Sequence, residues 1–380
     1  MEKQTGLLLI SNQKNEADIH YLCGVRPPEG AILLKTGLNR FLLVSTMEYN
    51  RLRRTVQQNV TVISPDQLGI KPGQKMAKWT HNLLKEKKVS SVEVPSDFPV
   101  GIADFLRRAE IKIKIMKKPP CPQRQTKTQA EIKAIRQSQR AAVAAMKAAI
   151  QQISTARISK DKKLYCEKTI LTSEKVRATI CHTLLNLDCI AEETIVSCGL
   201  HSADPHERGA GPLIAGQPIV IDIFPRAAWS ELDRRGKTGY WGDITRTVCR
   251  GPASAALKKQ YNAVKAAQAA QLKALKAGVC ANKIHRIGLE LMDARGFKTK
   301  TVDGVGQGFI HGTGHGVGLE IHEAPRVSPA NKLPLRAGHI ITIEPGLYYP
   351  ELGGVRIEDT VVVTKDGYTM LAPCIKKLEI

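Results

Sequence analysis

Short apolar segments separated by polar, turn-forming ones characterise the first third of the chain. Their spacing predicts strands at residues 6–10, 31–34, 41–45 and 60–64, and helices at residues 48–56 and 76–85. Residues 117–124 then contain three prolines, which suit neither a helix nor a central strand. We therefore expect a small α/β domain over residues 1–118 and a linker over residues 119–127.

A longer helical pattern begins the second part of the chain, residues 128–380. Thr128 and Glu131 have the spacing of a capping box, and they precede an alanine-rich segment whose apolar positions recur at helical intervals. Further helices are predicted at residues 174–185 and in two segments after Pro252 that end near Gly278 and Gly296. Strands are predicted at residues 219–224, 244–248, 340–343 and 355–363. This mixture predicts an α+β fold.

The composition is that of a globular protein large enough for two domains, with 380 residues of which 42% are hydrophobic and 24% charged. No apolar run approaches the roughly 20 residues that span a bilayer. The apolar start at residues 6–10 is far shorter than the core of a signal peptide. Nine cysteines without a CxxC pair suit a reducing compartment. We therefore expect a cytoplasmic protein without a membrane partner.

The net charge of +22 is the one unusual bulk property, and it raises the question of nucleic-acid binding. Residues 1–127 carry 22 Lys and Arg against 11 Asp and Glu, and residues 128–380 carry 35 against 24. Both parts thus have the same excess of positive charge, and neither contains a basic tail or block. Nucleic acid is not the expected partner.

Acidic residues occur in segments that otherwise have the composition of buried strands. Asp222 interrupts one such segment, Glu344 and Glu358 interrupt two others, and Asp243 directly precedes a fourth. A buried carboxylate is costly unless it is paired with a cation or coordinates a metal. A salt-bridged core aspartate would explain Asp222 alone, but four such residues indicate a cluster. Arg356 is two positions from Glu358 and would share its face of a strand.

Histidines are concentrated in one glycine-rich segment, residues 311–323, which contains three of the ten in the chain: His311, His315 and His322. Glycine at four alternate positions makes a helix improbable here, so an extended or looped backbone would aim the histidines in different directions. At most some of them would reach a common metal. The alternative is a flexible turn that carries surface histidines.

Four carboxylates and one histidine form an oxygen-rich set that suits two adjacent divalent ions. Mn²⁺ is the expected metal, with Co²⁺ or Zn²⁺ as alternatives. Such a pair can deprotonate a bridging water at neutral pH and hold both oxygens of an amide under attack. Further histidines could donate protons to the developing oxyanion or to the leaving group. The residues thus indicate metal-assisted hydrolysis without indicating the substrate.

The order of these motifs resembles that of the aminopeptidase P/prolidase family of metallopeptidases. The motifs are Asp222, residues 242–247 (GDITRT), residues 311–316 (HGTGHG), residues 343–346 (IEPG) and residues 356–359 (RIED). The resemblance covers residues 125–380, and residues 17–24 are similar to the opening of that family's creatinase-like N-terminal domain. It implies a C-terminal pita-bread fold with a smaller N-terminal α/β domain.

The resemblance also implies a role for each site residue. Five residues would hold two metal ions, and Asp243 and Glu358 would bridge them: Asp222, Asp243, His315, Glu344 and Glu358. Glu344 would in addition shuttle a proton for a metal-bridging hydroxide that attacks the scissile carbonyl. His322 would contact that carbonyl, His311 and His206 would line the substrate pocket, and Arg356 would support the ligands or bind a substrate carboxylate.

Two features depart from the family pattern. Asp222 and Asp243 are 21 positions apart, wider than usual, because of a charged segment at residues 230–237. Phe224 and Pro225 also stand where Phe-Gly is usual. A hairpin lengthened at its tip would keep the metal site. The alternative is a lost register and a damaged site.

Three functions are compatible with these observations. The resemblance implies hydrolysis of Xaa-Pro bonds in proline-containing peptides, by either an aminopeptidase or a dipeptidase that forms a homodimer. A creatinase-like hydrolase of another amide is disfavoured, because creatinases lack several of these ligands. A non-catalytic pita-bread protein that binds nucleic acid or another macromolecule is supported only by the charge.

Overall fold

The computed structural model describes residues 5–12, 15–228 and 239–380, and its residues form two compact units. The first unit contains the described residues up to Arg124, and the second contains residues 125–228 and 239–380. The charged segment at residues 230–237 lies outside the described residues. The assignment of residues 1–118 to a creatinase-like domain stays a prediction.

The first unit is built on one mixed sheet. Its strands are β1 (Thr5–Ile10), β2 (Ile32–Thr36), β3 (Asn39–Leu43), β4 (Val60–Ile63), β5 (Ser91–Val94) and β6 (Lys112–Ile115), in the order β4-β3-β2-β1-β5-β6. Its helices are α1 (Glu16–Cys23), α2 (Thr46–Thr55), α3 (Met76–Glu86) and α4 (Val100–Arg108). Leu8 and Leu9 belong to different buried clusters, so the sheet is covered on both faces. This explains why the central strands β1 and β2 contain apolar runs without strict alternation.

Four helices belong to the second unit: α5 (Gln129–Thr155), α6 (Ser173–Leu185), α7 (Ala255–Ala274) and α8 (Ala281–Ala294). The predicted capping box is confirmed, because the Thr128 hydroxyl accepts from the Glu131 amide at 3.3 Å and the Glu131 carboxylate accepts from the Thr128 amide at 2.8 Å. Alanines on the buried side of α5 allow the helix to pack closely into the largest apolar cluster of this unit.

The strands of the second unit are short and mostly antiparallel. Before α7 they are β7 (Arg157–Ile158), β8 (Leu164–Cys166), β9 (Thr169–Ile170), β10 (Cys189–Ile190), β11 (Ile195–Cys198), β12 (Ile219–Ile223), β13 (Arg226–Ala227) and β14 (Ile244–Val248). After α8 they are β15 (Lys300–Val302), β16 (Val305–Gln307), β17 (Gly314–Gly316), β18 (Glu323–Val327), β19 (Ile340–Ile343), β20 (Gly346–Tyr349), β21 (Gly353–Arg356), β22 (Asp359–Val363) and β23 (Tyr368–Met370). Two sheets, β11-β12-β14 and β18-β17-β19-β22-β23, contain most of the predicted site residues or flank them.

Two predictions of element bounds were wrong. The predicted strand at residues 355–363 is two strands, because β21 pairs with β20, β22 pairs with β19, and between them the amide of Glu358 bonds to the carbonyl of Thr245. Helix α7 ends at Ala274 rather than near Gly278, because the chain turns away and the amide of Ala277 bonds to the carbonyl of Thr364. In the part of the chain that the structure describes, no helix is both long and apolar enough for a membrane span.

His339 is a buried titratable group away from the acidic cluster. It precedes β19, is 4% exposed, and its Nδ1 accepts from the amide of Arg336 at 3.2 Å. Burial, together with the positive charges of Lys127 and Arg336, lowers the pKa of His339 to about 4. Lys127 forms a buried ion pair with Glu323, so the imidazole of His339 faces a cation that already has a carboxylate partner.

We expect His339 to make the folded protein acid-sensitive. Its pKa is lower in the folded chain than in the unfolded chain, so the stabilisation is complete above pH ~6.5 and is lost as the pH falls towards 4. His339→Asn retains an acceptor for the Arg336 amide but cannot titrate. From pH 7 to pH 5, urea unfolding should show wild type losing about 2 kcal/mol more than the variant. Equal losses in the two proteins would contradict this.

Candidate metal centre

Three buried side chains converge in the second unit with the geometry of a metal site. Asp243, His315 and Glu358 each offer a ligand atom, and these atoms lie within 4.8 Å of one another. Asp243 precedes β14, His315 is the middle residue of β17, and Glu358 lies between β21 and β22. The predicted clustering of residues far apart in the sequence is thus present in the structure.

The other two predicted ligands lie at the edges of this group. The Oε1 atom of Glu344 is 3.2 Å from the Nε2 atom of His315. Asp222 accepts from Thr245 Oγ1 at 2.9 Å through one oxygen and from Arg356 Nη2 at 2.9 Å through the other. Asp222 therefore has the ion pair that a core aspartate would need. The hydroxyl of Thr245 also links it to Glu358 in the cluster.

Burial and mutual repulsion set the protonation of the cluster. Burial, followed by the negative charges of neighbouring carboxylates, raises the pKa of both Asp243 and Glu358 well above the usual range. Burial also acts to raise the pKa of Glu344, but the hydrogen bond and charge of His315, with His311 and Arg356 nearby, hold it at about 2. Of the carboxyl groups of Asp243, Glu344 and Glu358, only that of Glu344 has its pKa lowered.

Thr245 connects two of the carboxylates. Its hydroxyl is 2.9 Å from Asp222 Oδ1 and 2.7 Å from Glu358 Oε2, and it accepts from Arg356 Nε at 3.2 Å. A hydroxyl has one proton, so it can donate to only one of the two carboxylates. Arg356 and Glu358 both contact this hydroxyl, so their side chains point in the same direction, as expected. They do so although no continuous strand joins them.

The histidines point in different directions, as the glycine-rich sequence predicted. His311 Nδ1 lies 2.7 Å from the carbonyl of Gly312, so this nitrogen carries a proton and donates it. His311 Nε2 therefore accepts the Tyr348 hydroxyl at 2.9 Å, and Arg356 Nη1 donates to the same hydroxyl oxygen at 2.8 Å. Both ring nitrogens of His311 thus have protein partners. The flexible-turn alternative is excluded, because His315 is buried and the glycines on either side of it pair with the neighbouring strand β18.

His322 and His206 lie at the periphery of the cluster. The ring of His322 packs edge-on against that of His315 at 4.4 Å between centroids. The side chain of His322 keeps an exposed part, but desolvation of its ring against its neighbours, followed by the positive charges of His315 and Arg326, lowers its pKa to about 4, so it is neutral at neutral pH. His206 is exposed, and its charge acts on both His311 and His322.

Close backbone approach explains one of the glycines in this segment. A Cβ at Gly314 would lie 2.0 Å from the carbonyl oxygen of Thr342 on the neighbouring strand β19. This approach allows Thr342 Oγ1 to accept from the amide of His315 at 3.0 Å while it donates to Glu344 Oε1 at 3.1 Å. One threonine therefore orients two predicted ligands.

Several polar residues that support the cluster were not predicted from the sequence: Gln139, Thr245, Thr342 and Tyr348. The two threonines follow the same signal as the carboxylates, a polar residue in an apolar strand segment. Threonine is common in strands, however, so this signal is weak.

The strands on either side of the charged segment keep a regular register. β12 and β14 pair at five successive positions, from Ile219 opposite Val248 to Ile223 opposite Ile244. This pairing is what a hairpin lengthened at its tip requires. Asp222 and Thr245 lie opposite each other in the ladder, which places their side chains in contact.

Comparison with known proteins identifies relatives along the whole chain. Residues 133–365 match the model of "Metallopeptidase family M24". The chain is 30% identical over 375 residues to a Xaa-Pro dipeptidase of Pyrococcus horikoshii, covering 98% of this chain and 93% of that one. It is 29% identical over 363 residues to a Xaa-Pro dipeptidase of Pyrococcus furiosus, covering 95% and 92%.

Solved structures give the same result. The prolidase from Pyrococcus horikoshii OT3 superposes with a TM-score of 0.79 at 28% identity, covering 99% of this chain and 95% of that one. The X-Pro aminopeptidase from Thermotoga maritima superposes with a TM-score of 0.78 at 23% identity, covering 99% and 98%, which shows a shared fold. The predicted α+β pita-bread fold is confirmed. The chain belongs to metallopeptidase family M24.

Proposed function

We propose that this protein is a Xaa-Pro dipeptidase that uses two divalent metal ions. The observation that carries the proposal is the buried group of Asp243, His315 and Glu358 with its ligand atoms within 4.8 Å. The substrate class is supported by the relative from Pyrococcus horikoshii, a Xaa-Pro dipeptidase similar over 98% of this chain. The aminopeptidase matched at 23% identity supports the fold alone.

The side chains fit a pair of cations. Among the described residues, Glu358 Oε1 is a buried oxygen without a hydrogen-bond partner. His315 Nε2 lies 3.5 Å from Asp243 Oδ2 and 3.2 Å from Glu344 Oε1, and Nδ1 lies 3.2 Å from the Gly316 carbonyl. With an ion bound, Nδ1 would donate to that carbonyl and the lone pair of Nε2 would be free to bind the metal in place of a proton. Acceptors facing one another in the interior need a proton or a cation between them. Carboxylate and imidazole donors without a thiolate suit Mn²⁺, Co²⁺ or Zn²⁺.

In this proposal five residues hold the ions, with Asp243 and Glu358 shared between them: Asp222, Asp243, His315, Glu344 and Glu358. The bound ions would polarise the scissile carbonyl and make a water molecule more acidic. The metal expected first is Mn²⁺, since an oxygen-rich donor set suits it.

Glu344 and His322 would handle protons around the reacting amide. Glu344 would accept a proton from the attacking water and return it to the leaving proline nitrogen. His322 is neutral because its pKa is lowered to about 4. Its ring N–H could donate a hydrogen bond to the carbonyl oxygen as negative charge develops there.

Arg356 would support the ligands, and His311 and His206 would shape the pocket wall. Arg356 donates to Asp222, Thr245 and Tyr348, so a buried cation offsets part of the negative charge of the cluster. The Tyr348 hydroxyl accepts from Arg356 and donates to His311, so it links the positions of these two side chains. His206 is the exposed member of the set and would meet substrate at the rim. A cytoplasmic location and a homodimer remain predictions.

Substrate length tests the activity. With Mn²⁺, Co²⁺ or Zn²⁺ added separately, we expect hydrolysis of Gly-Pro and none of Arg-Pro-Pro, measured by release of free proline or arginine. Cleavage of the tripeptide alone would replace the dipeptidase assignment by an aminopeptidase one. A protein that binds metal but cleaves neither peptide would overturn the Xaa-Pro proposal.

Metal-dependent stability tests the site without an activity assay. We expect saturating Mn²⁺ to raise the Tm of wild type by roughly 5–10 °C, because ligands that bind only the folded state stabilise it by mass action. Asp243→Asn should largely lose this rise, since one shared ligand is gone. The metal-free variant should unfold at or above the Tm of metal-free wild type, because a buried, repelled carboxylate has been removed. A variant that keeps the full rise would exclude Asp243 as a ligand.

Tyr348→Phe separates ligand support from ligand binding. The change removes only the hydroxyl that His311 and Arg356 share. We expect kcat for Gly-Pro to fall about 10–100-fold while the metal content stays at the wild-type value, because outer contacts orient the site rather than bind the ion. Unchanged kcat would show that the His311–Tyr348–Arg356 chain has no part in turnover.

A further inference from the structure

Gln139 makes an unusual pair of hydrogen bonds to the backbone of Asp243. It lies on α5 and is 1% exposed. Its Oε1 atom accepts from the amide of Asp243 at 2.8 Å, and its Nε2 atom donates to the carbonyl of Asp243 at 2.8 Å. A side-chain carboxamide has both an acceptor and a donor, so it can pair with one residue's backbone as a neighbouring strand would.

Strand pairing flanks Asp243 but does not include its own backbone groups. The ladder between β12 and β14 begins at Ile223 opposite Ile244, so Asp243 lies one residue outside it. On its other side the amide of Gly242 donates to the carbonyl of Pro225 at 2.9 Å. A slip of one residue between these two points would turn the Asp243 side chain away from the cluster, since successive side chains point to opposite faces. Contacts to the Asp243 backbone itself therefore help to determine which way its side chain faces.

The surroundings of Gln139 make that contact specific. A Cβ at Gly242 would lie 2.6 Å from the backbone nitrogen of Gln139, so only glycine allows the chain to lie this close to the helix. Ser138 Oγ donates to the carbonyl of Tyr240 at 2.7 Å, and Thr360 Oγ1 donates to the carbonyl of Asp243 at 2.8 Å. Both polar groups of the Asp243 backbone are thus satisfied by side chains from elsewhere in the unit.

We propose that Gln139 is a positioning residue that sets the register of the Asp243 carboxylate in the metal centre. The inference rests on the proposed function, because it assumes that Asp243 binds metal. Gln139 contacts only the backbone of Asp243 there, so it acts on the geometry of the ligand and not on its chemistry. Its loss should weaken metal binding, and above all the binding that depends on a carboxylate shared by two ions.

The test compares Gln139→Met with two other variants. Methionine has a similar length and flexibility but cannot make either hydrogen bond. Thr360→Val removes one of the two donors to the Asp243 carbonyl at nearly constant shape, and serves if Gln139→Met does not fold. Gln260→Met is the matched control, because Gln260 is also a buried glutamine on a helix that donates to backbone carbonyls, those of Leu347 and Gly353.

Mn²⁺ affinity is measured by equilibrium dialysis, and the electron paramagnetic resonance spectrum at two equivalents of Mn²⁺ reports whether the ions are coupled. We expect Gln139→Met to bind Mn²⁺ about 10–100-fold more weakly and to lose the coupled spectrum. Thr360→Val should shift affinity in the same direction by less. Gln260→Met should bind as wild type does, even if it unfolds at lower temperature.

Two results would overturn the inference. Wild-type affinity and a coupled spectrum in both Gln139→Met and Thr360→Val would show that Asp243 keeps its register without these contacts. Equal loss in Gln260→Met would show that any buried glutamine has this effect through stability alone. If wild type itself binds no Mn²⁺, the proposed function fails, which is a separate outcome.

Discussion

The carboxyl groups of Asp243, Glu344 and Glu358 lie around the imidazole of His315, those of Asp243 and Glu358 buried and that of Glu344 half-buried, and their repulsion has to be offset within the protein. Arg356 supplies one buried cation, and the hydroxyls of Thr245 and Thr342 supply donors, but Glu358 retains an oxygen without a partner among the described residues. The protein alone therefore leaves negative charge only partly compensated. The order of the strands and the close approach of their backbones hold these groups together despite the electrostatic repulsion between them.

Much of the metal centre could be predicted from the sequence, because its acidic residues interrupt strand segments that are otherwise apolar. Asp222 and Glu344 stand out in apolar segments, and the glycines around His315 exclude a helix. The same logic could not find Gln139, because a glutamine on an alanine-rich helix among Arg136 and Arg140 looks like part of a solvent-facing side. Only the tertiary structure shows that this position faces the cluster.

Element boundaries failed where backbone groups find partners outside their own element. The run at residues 355–363 is rich in β-branched residues and looks like one strand that charged side chains interrupt, yet its two halves pair with different neighbours. At the break the amide of Glu358 bonds to Thr245, a partner 113 residues earlier. The spacing of apolar residues and their strand propensity carry no information about which distant strand a segment will pair with. The break is also what allows Glu358 to reach the cluster.

Arg246 binds the chain at this break. It is 1% exposed, and its guanidinium donates to the carbonyls of Thr245, Glu358, Cys374 and Ile375 and to the carboxylate of Asp359, partners that lie up to 129 residues away. All of its donors are therefore engaged, and every partner except Thr245 is more than a hundred residues away in the sequence. Loops of more than a hundred residues must close before those four bonds can form, which makes the centre a late event in folding. Hydrogen exchange at the amide of Glu358 should accordingly follow the cooperative opening of the whole second unit rather than local fraying.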